Sequence, residues 1–181
     1  MTGIHTDGEM TLRTVEPGDD ARIFQLICTS REALRAFLPW VDDSQRVDDT
    51  QRFIRLSLDG LAHRSGLQAV ICVRDELVGL VGFNGIDWTN KKADIGYWLG
   101  TAYEGRGLMT RAVRALTAYG FSELALNRIE IRAAVQNRKS RSVAERLGFV
   151  REGVLRQNEW LYDHYVDHVV YSMLASEWGH L

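Results

Sequence analysis

The chain has 181 residues, 45% of them apolar and 25% charged, a length and composition that fit one soluble domain. Two prolines against 16 glycines exclude a collagen-like or proline-rich chain and argue against long disordered tracts. A formal net charge of −2 offers no bulk attraction to nucleic acid or to a membrane surface.

The first ten residues are polar and carry no apolar signal core. Residues 12–15 read as a short strand, stopped by Pro17-Gly18-Asp19-Asp20, which also offers a helix cap. A helix is expected over residues 21–37, with Ile23, Phe24, Ile27, Ala33, Leu34 and Phe37 near helical spacing. Pro39-Trp40 ends it. Residues 41–49 form an acidic connection with Asp42, Asp43, Asp48 and Asp49 beside Trp40, a loop suited to receiving a cationic amine. A second helix is expected over residues 50–62.

The period then changes to two. Strands are expected over residues 67–73, 77–83 and 93–99, joined by short loops and therefore in an antiparallel meander. Gly105-Arg106-Gly107 opens a long helix reaching to about Leu124, with Met109, Ala112, Val113 and Leu116 in one stripe. A strand over residues 129–135, a short helix over 138–147 closed by Gly148, and strands over 149–155 and 165–174 complete an α+β order. Cys28 and Cys72 are too few for a disulfide framework and lack zinc-site spacing, so they read as two reduced core thiols of a cytoplasmic protein. The apolar runs are too short to span a bilayer.

Two features carry chemistry. The first is the glycine pair between a strand and a helix, where unpaired amides and the helix dipole converge on an anion. A P-loop string is absent, and Thr110 stands where a dinucleotide fingerprint needs its third glycine. The second is a charge asymmetry. Between residues 128 and 156 eight basic residues face three acidic ones, leaving a net +5 there and −7 elsewhere. That split suits a compact polyanion on one side and a cationic partner on the other.

Five segments together resemble the GCN5-related N-acetyltransferase (GNAT) superfamily. They are Asp94-Ile95-Gly96-Tyr97-Trp98-Leu99, Gly105-Arg106-Gly107-Leu108-Met109-Thr110, Asn127-Arg128-Ile129-Glu130, Asn137-Arg138-Lys139-Ser140-Arg141-Ser142 and Leu147-Gly148-Phe149-Val150-Arg151-Glu152-Gly153. With Leu38-Pro39-Trp40, they resemble more narrowly its RimJ/RimL branch, which acetylates ribosomal-protein N-termini. The likeness spans about residues 12–178, and it implies one acetyltransferase domain with a core of about 10–178. It also implies a GNAT fold, in which a mixed sheet combines the meander with a splayed parallel pair. One departure stands in the phosphate motif, where Ala102 replaces the usual Gln or Arg.

The resemblance implies acetyl-CoA as donor and an amine as acceptor, either a protein N-terminus or a small molecule. Trp98, Leu99 and Gly100 would hold the pantetheine arm through their backbone, and Gly105, Arg106, Gly107, Leu108, Met109 and Thr110 the pyrophosphate. Asn137 would contact the pantetheine, although Asn is also a good helix N-cap. Ser140 would meet the departing sulfur. The proton acceptor is Glu159 or Asp94, with His164 and His168 as further candidates. A thioester is already activated, so the absence of a nucleophile elbow fits direct transfer. His164 and His168 share a strand face, but no metal site is expected. A non-catalytic acyl-CoA sensor on the same fold is the alternative. No nucleic-acid or membrane partner is expected, because the basic window lacks interleaved aromatics other than Phe149. Proteins of this branch often pair through their late strands, so the resemblance admits a homo-oligomer, although core burial explains the late apolar alternation equally well.

Overall fold

The computed structural model describes residues 3–179. Eight strands form one sheet: β1 (Gly3–Asp7), β2 (Met10–Thr14), β3 (Leu67–Val73), β4 (Glu76–Asp87), β5 (Lys92–Leu99), β6 (Arg128–Ala134), β7 (Val150–Leu161) and β8 (His164–Leu174). Four α-helices accompany them: α1 (Asp20–Arg35), α2 (Val47–Ala62), α3 (Leu108–Ser122) and α4 (Arg138–Arg146). The strand order is β1-β2-β3-β4-β5-β6-β8-β7, and every neighbouring pair is antiparallel except β5 and β6. The parallel pair requires a crossover, which α3 supplies.

The two faces of the sheet have separate cores. On one, α3 and α4 cover Ile71, Val81, Phe83, Ile95, Ile129, Ile131 and Tyr171. On the other, Ile23, Ile27 and Leu34 of α1 and Ile54 of α2 pack with Val70, Cys72 and Leu80, and Trp40 and Trp98 lie at the margin. Ile129 and Ile131 are almost wholly buried, and each contributes roughly 1.5–3 kcal/mol through removal from water. Helices α1 and α2 pack on β4 and β3, so this face of β6, β8 and β7 keeps polar side chains such as Arg132 and Ser172.

Several expectations needed correction. The polar N-terminus contains β1, a hairpin partner of β2 in which only Ile4 turns to the core, so it carries no apolar alternation. Helix α2 starts three residues earlier than expected, because the Asp49 carboxylate accepts the amides of Gln45 and Arg46 at 3.0 and 2.9 Å and caps the turn. The acidic connection is therefore not a set of free carboxylates. Asp42 makes a bidentate ion pair with Arg35, which holds its carboxyl below the usual range. Cys28 is exposed rather than in the core, and only Cys72 is buried, where desolvation pushes its thiol up. Strands β7 and β8 extend toward each other into one long hairpin turning at Tyr162-Asp163.

The basic window is also partly paired from within. Arg128 donates to both oxygens of Glu152 at 2.6 Å and to Glu130 at 2.9 Å, and Arg132 donates to Glu130 at 2.9 Å. The Arg128 and Ser172 hydrogen bonds bring Glu152 down to about 2. Arg141 donates to the Tyr171 hydroxyl and to the Val135 carbonyl. Arg128, Arg132 and Arg141 are thus committed to partners within the fold, whereas Arg138, Arg146, Arg151 and Arg156 are exposed. No helix of the described residues is long and apolar enough to cross a membrane.

Candidate active site

The ladder between β5 and β6 runs from Lys92/Arg128 to Ile95/Ile131 and stops there. Strand β5 continues to Leu99 on β4, and β6 continues to Ala134 on β8. The two parallel strands thus part at one end, and the β6-facing edge of β5 beyond Ile95 has no strand partner. A side chain spans this gap. The Tyr97 hydroxyl donates to the Ser140 carbonyl at 3.0 Å and accepts from Ser140 Oγ at 3.0 Å. Burial pushes the Tyr97 phenol up to about 12, so it remains a neutral donor.

Beyond β5, a 3₁₀ turn (Thr101–Tyr103) leads into the glycine pair. Gly105 and Gly107 have φ of +75° and +72°, the left-handed region that L side chains avoid. A Cβ on either would meet nothing within 4 Å, so close packing is not why glycine stands there. The first helical bond of α3 runs from the Arg111 amide to the Gly107 carbonyl at 3.1 Å. The amides of Leu108, Met109 and Thr110 precede it and point out of the helix start, where the dipole adds partial positive charge. The Leu108 and Met109 side chains are buried, so only their backbone is available to a ligand. Arg106 is exposed and donates to the Ala102 carbonyl at 3.2 Å. An ion pair from Glu104 to Lys139 ties this loop to the start of α4.

Asn137 caps α4, its Oδ1 accepting the Ser140 amide at 3.0 Å. The cap and the Tyr97 bonds together fix Ser140 at the mouth of the splay. Gly100 has both backbone groups engaged within the fold. Its amide donates to Val78 and its carbonyl accepts from Tyr103, both at 2.9 Å, so it anchors the turn. The next amide, that of Thr101, donates to Ser30 Oγ at 3.0 Å, which explains a buried serine on the core face of α1.

The two carboxylate candidates lie apart. Asp94 sits in the paired half of β5, opposite Glu130, and accepts from Asn84 Nδ2 at 2.9 Å. It lines a shallow cavity of about 350 Å³ with Ser65, Asp87, Glu130 and Arg132, about 13 Å along the strand from Trp98. Glu159 lies on β7 opposite Val166, so both share a face with His168 on β8, which is opposite Ala134 at the splayed end of β6. That is the face of Trp98, whose ring stands 6.0 Å from that of Trp40. The Tyr162 hydroxyl donates to the Leu38 carbonyl at 2.6 Å and brings the β7–β8 turn against the loop carrying Trp40. Glu159 therefore lies on the sheet face of Trp40 and Trp98, on β7 beyond β8, and Ser140 on the face of α4. His164 pairs instead with Asp163 at 2.7 Å. Among the described residues no group of three or more His, Cys, Asp or Glu is placed to hold a metal ion.

Tyr97 was missed as a functional residue. Its alternation with Ile95 and Leu99 reads as core, and only the end of the β5–β6 ladder reveals that its hydroxyl reaches across to α4.

The family model of the acetyltransferase (GNAT) domain matches residues 9–150. The chain is 32% identical over 173 residues to the ribosomal-protein-serine acetyltransferase of Escherichia coli (strain K12), covering 94% of this chain and 96% of that one. The structure of RimL, a ribosomal L7/L12 alpha-N-protein acetyltransferase, in complex with coenzyme A matches with a TM-score of 0.93 at 26% identity, covering 96% of this chain and 98% of that one. The microcin C7 self immunity acetyltransferase MccE, in complex with acetyl-CoA and AMP, matches with a TM-score of 0.89 at 32% identity, covering 93% of each chain.

Proposed function

The chain belongs to the acetyltransferase (GNAT) family, and from that premise we propose that it moves the acetyl group of acetyl-CoA directly onto the N-terminal α-amine of a ribosomal protein. It is an acetyl-CoA-dependent N-acyltransferase of the RimJ/RimL kind. The observation that carries the mechanism is the end of the β5–β6 ladder at Ile95/Ile131, with the Gly105/Gly107 helix start on one side and Glu159 on the other. The acceptor class is supported by the printed activities of the Escherichia coli relative and of RimL, both directed at ribosomal proteins. We read about residues 10–178 as one catalytic unit, because β8 of the C-terminal part closes onto β6 and completes the sheet.

In this reading the Leu108, Met109 and Thr110 amides and the α3 dipole hold the pyrophosphate. The open edge of β5 at Trp98 and Leu99 takes the pantetheine. The acceptor enters over Trp40 and Trp98, and its ammonium gives one proton to Glu159. The freed lone pair forms the C–N bond while the C–S pair leaves with sulfur. The nitrogen's remaining surplus proton neutralises the thiolate, which the Ser140 hydroxyl steadies by turning its O–H from Tyr97 to the sulfur. Glu159 returns its proton to water. Glu159 is favoured over Asp94 because Asp94 is held by Asn84 in the paired half of the strand. Acceptor-dependent release of the CoA thiol tests this reading. Turnover with ribosomal-protein N-terminal peptides is expected, and acetyl-CoA binding without turnover across an amine panel would instead identify a sensor.

The same fold leaves β7 as an edge strand with Val150, Val154, Leu155 and Trp160 exposed. Any edge strand is complementary to an antiparallel copy of itself, and nothing covers this one among the described residues. We place a second copy there. Sedimentation is expected to give a dimer that Trp160→Glu converts to monomer, whereas a monomeric parent would remove the interface.

A further inference from the structure

Strand β7 loses its register with β8 between Leu155 and Glu159. Gln157 takes a φ of +49° in this bulge, and its amide donates to Asp167 Oδ1 at 2.7 Å. The bulge turns two side chains of β7 toward one histidine of β8. Asn158 Nδ2 lies 3.1 Å from His168 Nδ1, and Glu159 Oε2 lies 3.5 Å from His168 Nε2. An amide nitrogen only donates, so Nδ1 is the accepting atom in this pairing, and Nε2 is the ring atom that faces Glu159. The His168 side chain is 11% exposed against 32% for Glu159, so the ring is held by packing while the carboxylate keeps an open side. The other charged groups around the ring are engaged elsewhere: Asp167 by the Gln157 amide, and Arg132 by Glu130.

We propose that His168 is the positioning residue for Glu159. Asn158 fixes the imidazole tautomer, and the Nε2–H then orients the carboxylate so that its free oxygen meets the acceptor ammonium. His168 itself exchanges no proton with substrate. This proposal rests on the transferase reading with Glu159 as proton acceptor, and it adds a three-residue chain, Asn158–His168–Glu159, whose members act only in that order.

Steady-state kinetics with a ribosomal-protein N-terminal peptide test it. His168→Ala is expected to lower kcat about ten- to a hundred-fold with KM for acetyl-CoA unchanged. His168→Gln, whose amide can still donate toward Glu159, is expected to recover most of that loss. The double variant His168→Ala/Glu159→Gln should be no slower than Glu159→Gln alone. Parental kcat in His168→Ala, no recovery in His168→Gln, or losses that multiply in the double variant would each overturn the proposal. Parental kcat in Glu159→Gln would also overturn it, while leaving the transferase reading intact. A second measurement needs no acceptor. Long-range ¹⁵N spectra are expected to show His168 with its proton on Nε2, and a mixed tautomer in Asn158→Ala. A proton on Nδ1 would overturn the chain even if no amine were turned over, the outcome that would separately remove the transferase reading.

Discussion

Replacing Glu159 with Gln is expected to lower kcat by about two to four orders of magnitude, the usual range for losing a general base. At about 1.4 kcal/mol per factor of ten, that is roughly 3–5 kcal/mol of transition-state stabilisation. The isosteric amide keeps the volume of the side chain, so the β7–β8 hairpin and its bulge are retained. KM for acetyl-CoA is expected to stay constant, because Glu159 on β7 belongs to neither the glycine turn nor the open edge of β5. Raising pH should recover part of the rate, since a larger fraction of the acceptor amine then arrives already deprotonated. The corresponding change at Asp94, Asp94→Asn, is expected to leave kcat within about two-fold, a difference worth only a few tenths of a kcal/mol. Parallel kinetics on the two variants check the assignment, and equal losses in both would overturn it.

The second large effect is expected at the glycine pair. Gly107→Val is expected to raise the Kd for acetyl-CoA by about ten- to a hundred-fold while leaving the folded structure in place. The left-handed conformation at φ +72° costs an L residue about 1–2 kcal/mol, and more when it is β-branched. The backbone escapes by rotating, which misaims the three amides that follow. The new side chain also projects into the open space that the phosphates would occupy. Because Gly107 is exposed, the fold should survive, with thermal stability lowered by no more than the few degrees this strain represents. Calorimetric titration with CoA measures the loss, and unaltered affinity would place the pyrophosphate elsewhere. With saturating acetyl-CoA, kcat is expected to recover, in contrast to the Glu159 variant.

The contrast between these sites also explains what the amino-acid sequence could disclose. The meander of β3, β4 and β5 was legible because short apolar runs between polar turns mark strands, β3 and β4 being buried on both faces. The glycine turn was legible because a left-handed backbone before a helix leaves few residue choices. Strand β1 and the far half of β7 were not, because most of their side chains are exposed and the few inward ones, Ile4 and Leu161, leave no period to read. Asp42 looked available for a cationic acceptor until the fold brought Arg35 onto it, a contact set by how the chain leaves α1. The same holds for Arg128 and Glu152, which lie 24 residues apart and meet only when β7 docks on β8. Ser140 was readable from its spacing after Asn137, whereas Tyr97 required knowing where two strands part. The pairing of Glu159 with His168 required a bulge, and no local pattern around Gln157 announces one.

The central claim is transfer of acetyl to an α-amine at the splayed end of β5 and β6. Mass spectrometry of ribosomal proteins incubated with the pure enzyme and acetyl-CoA tests it most directly. The account predicts a single acetyl group, placed by fragmentation on the N-terminal α-amine of one ribosomal protein, absent with Glu159→Gln. Acetylation confined to lysine side chains or to small amines would contradict it.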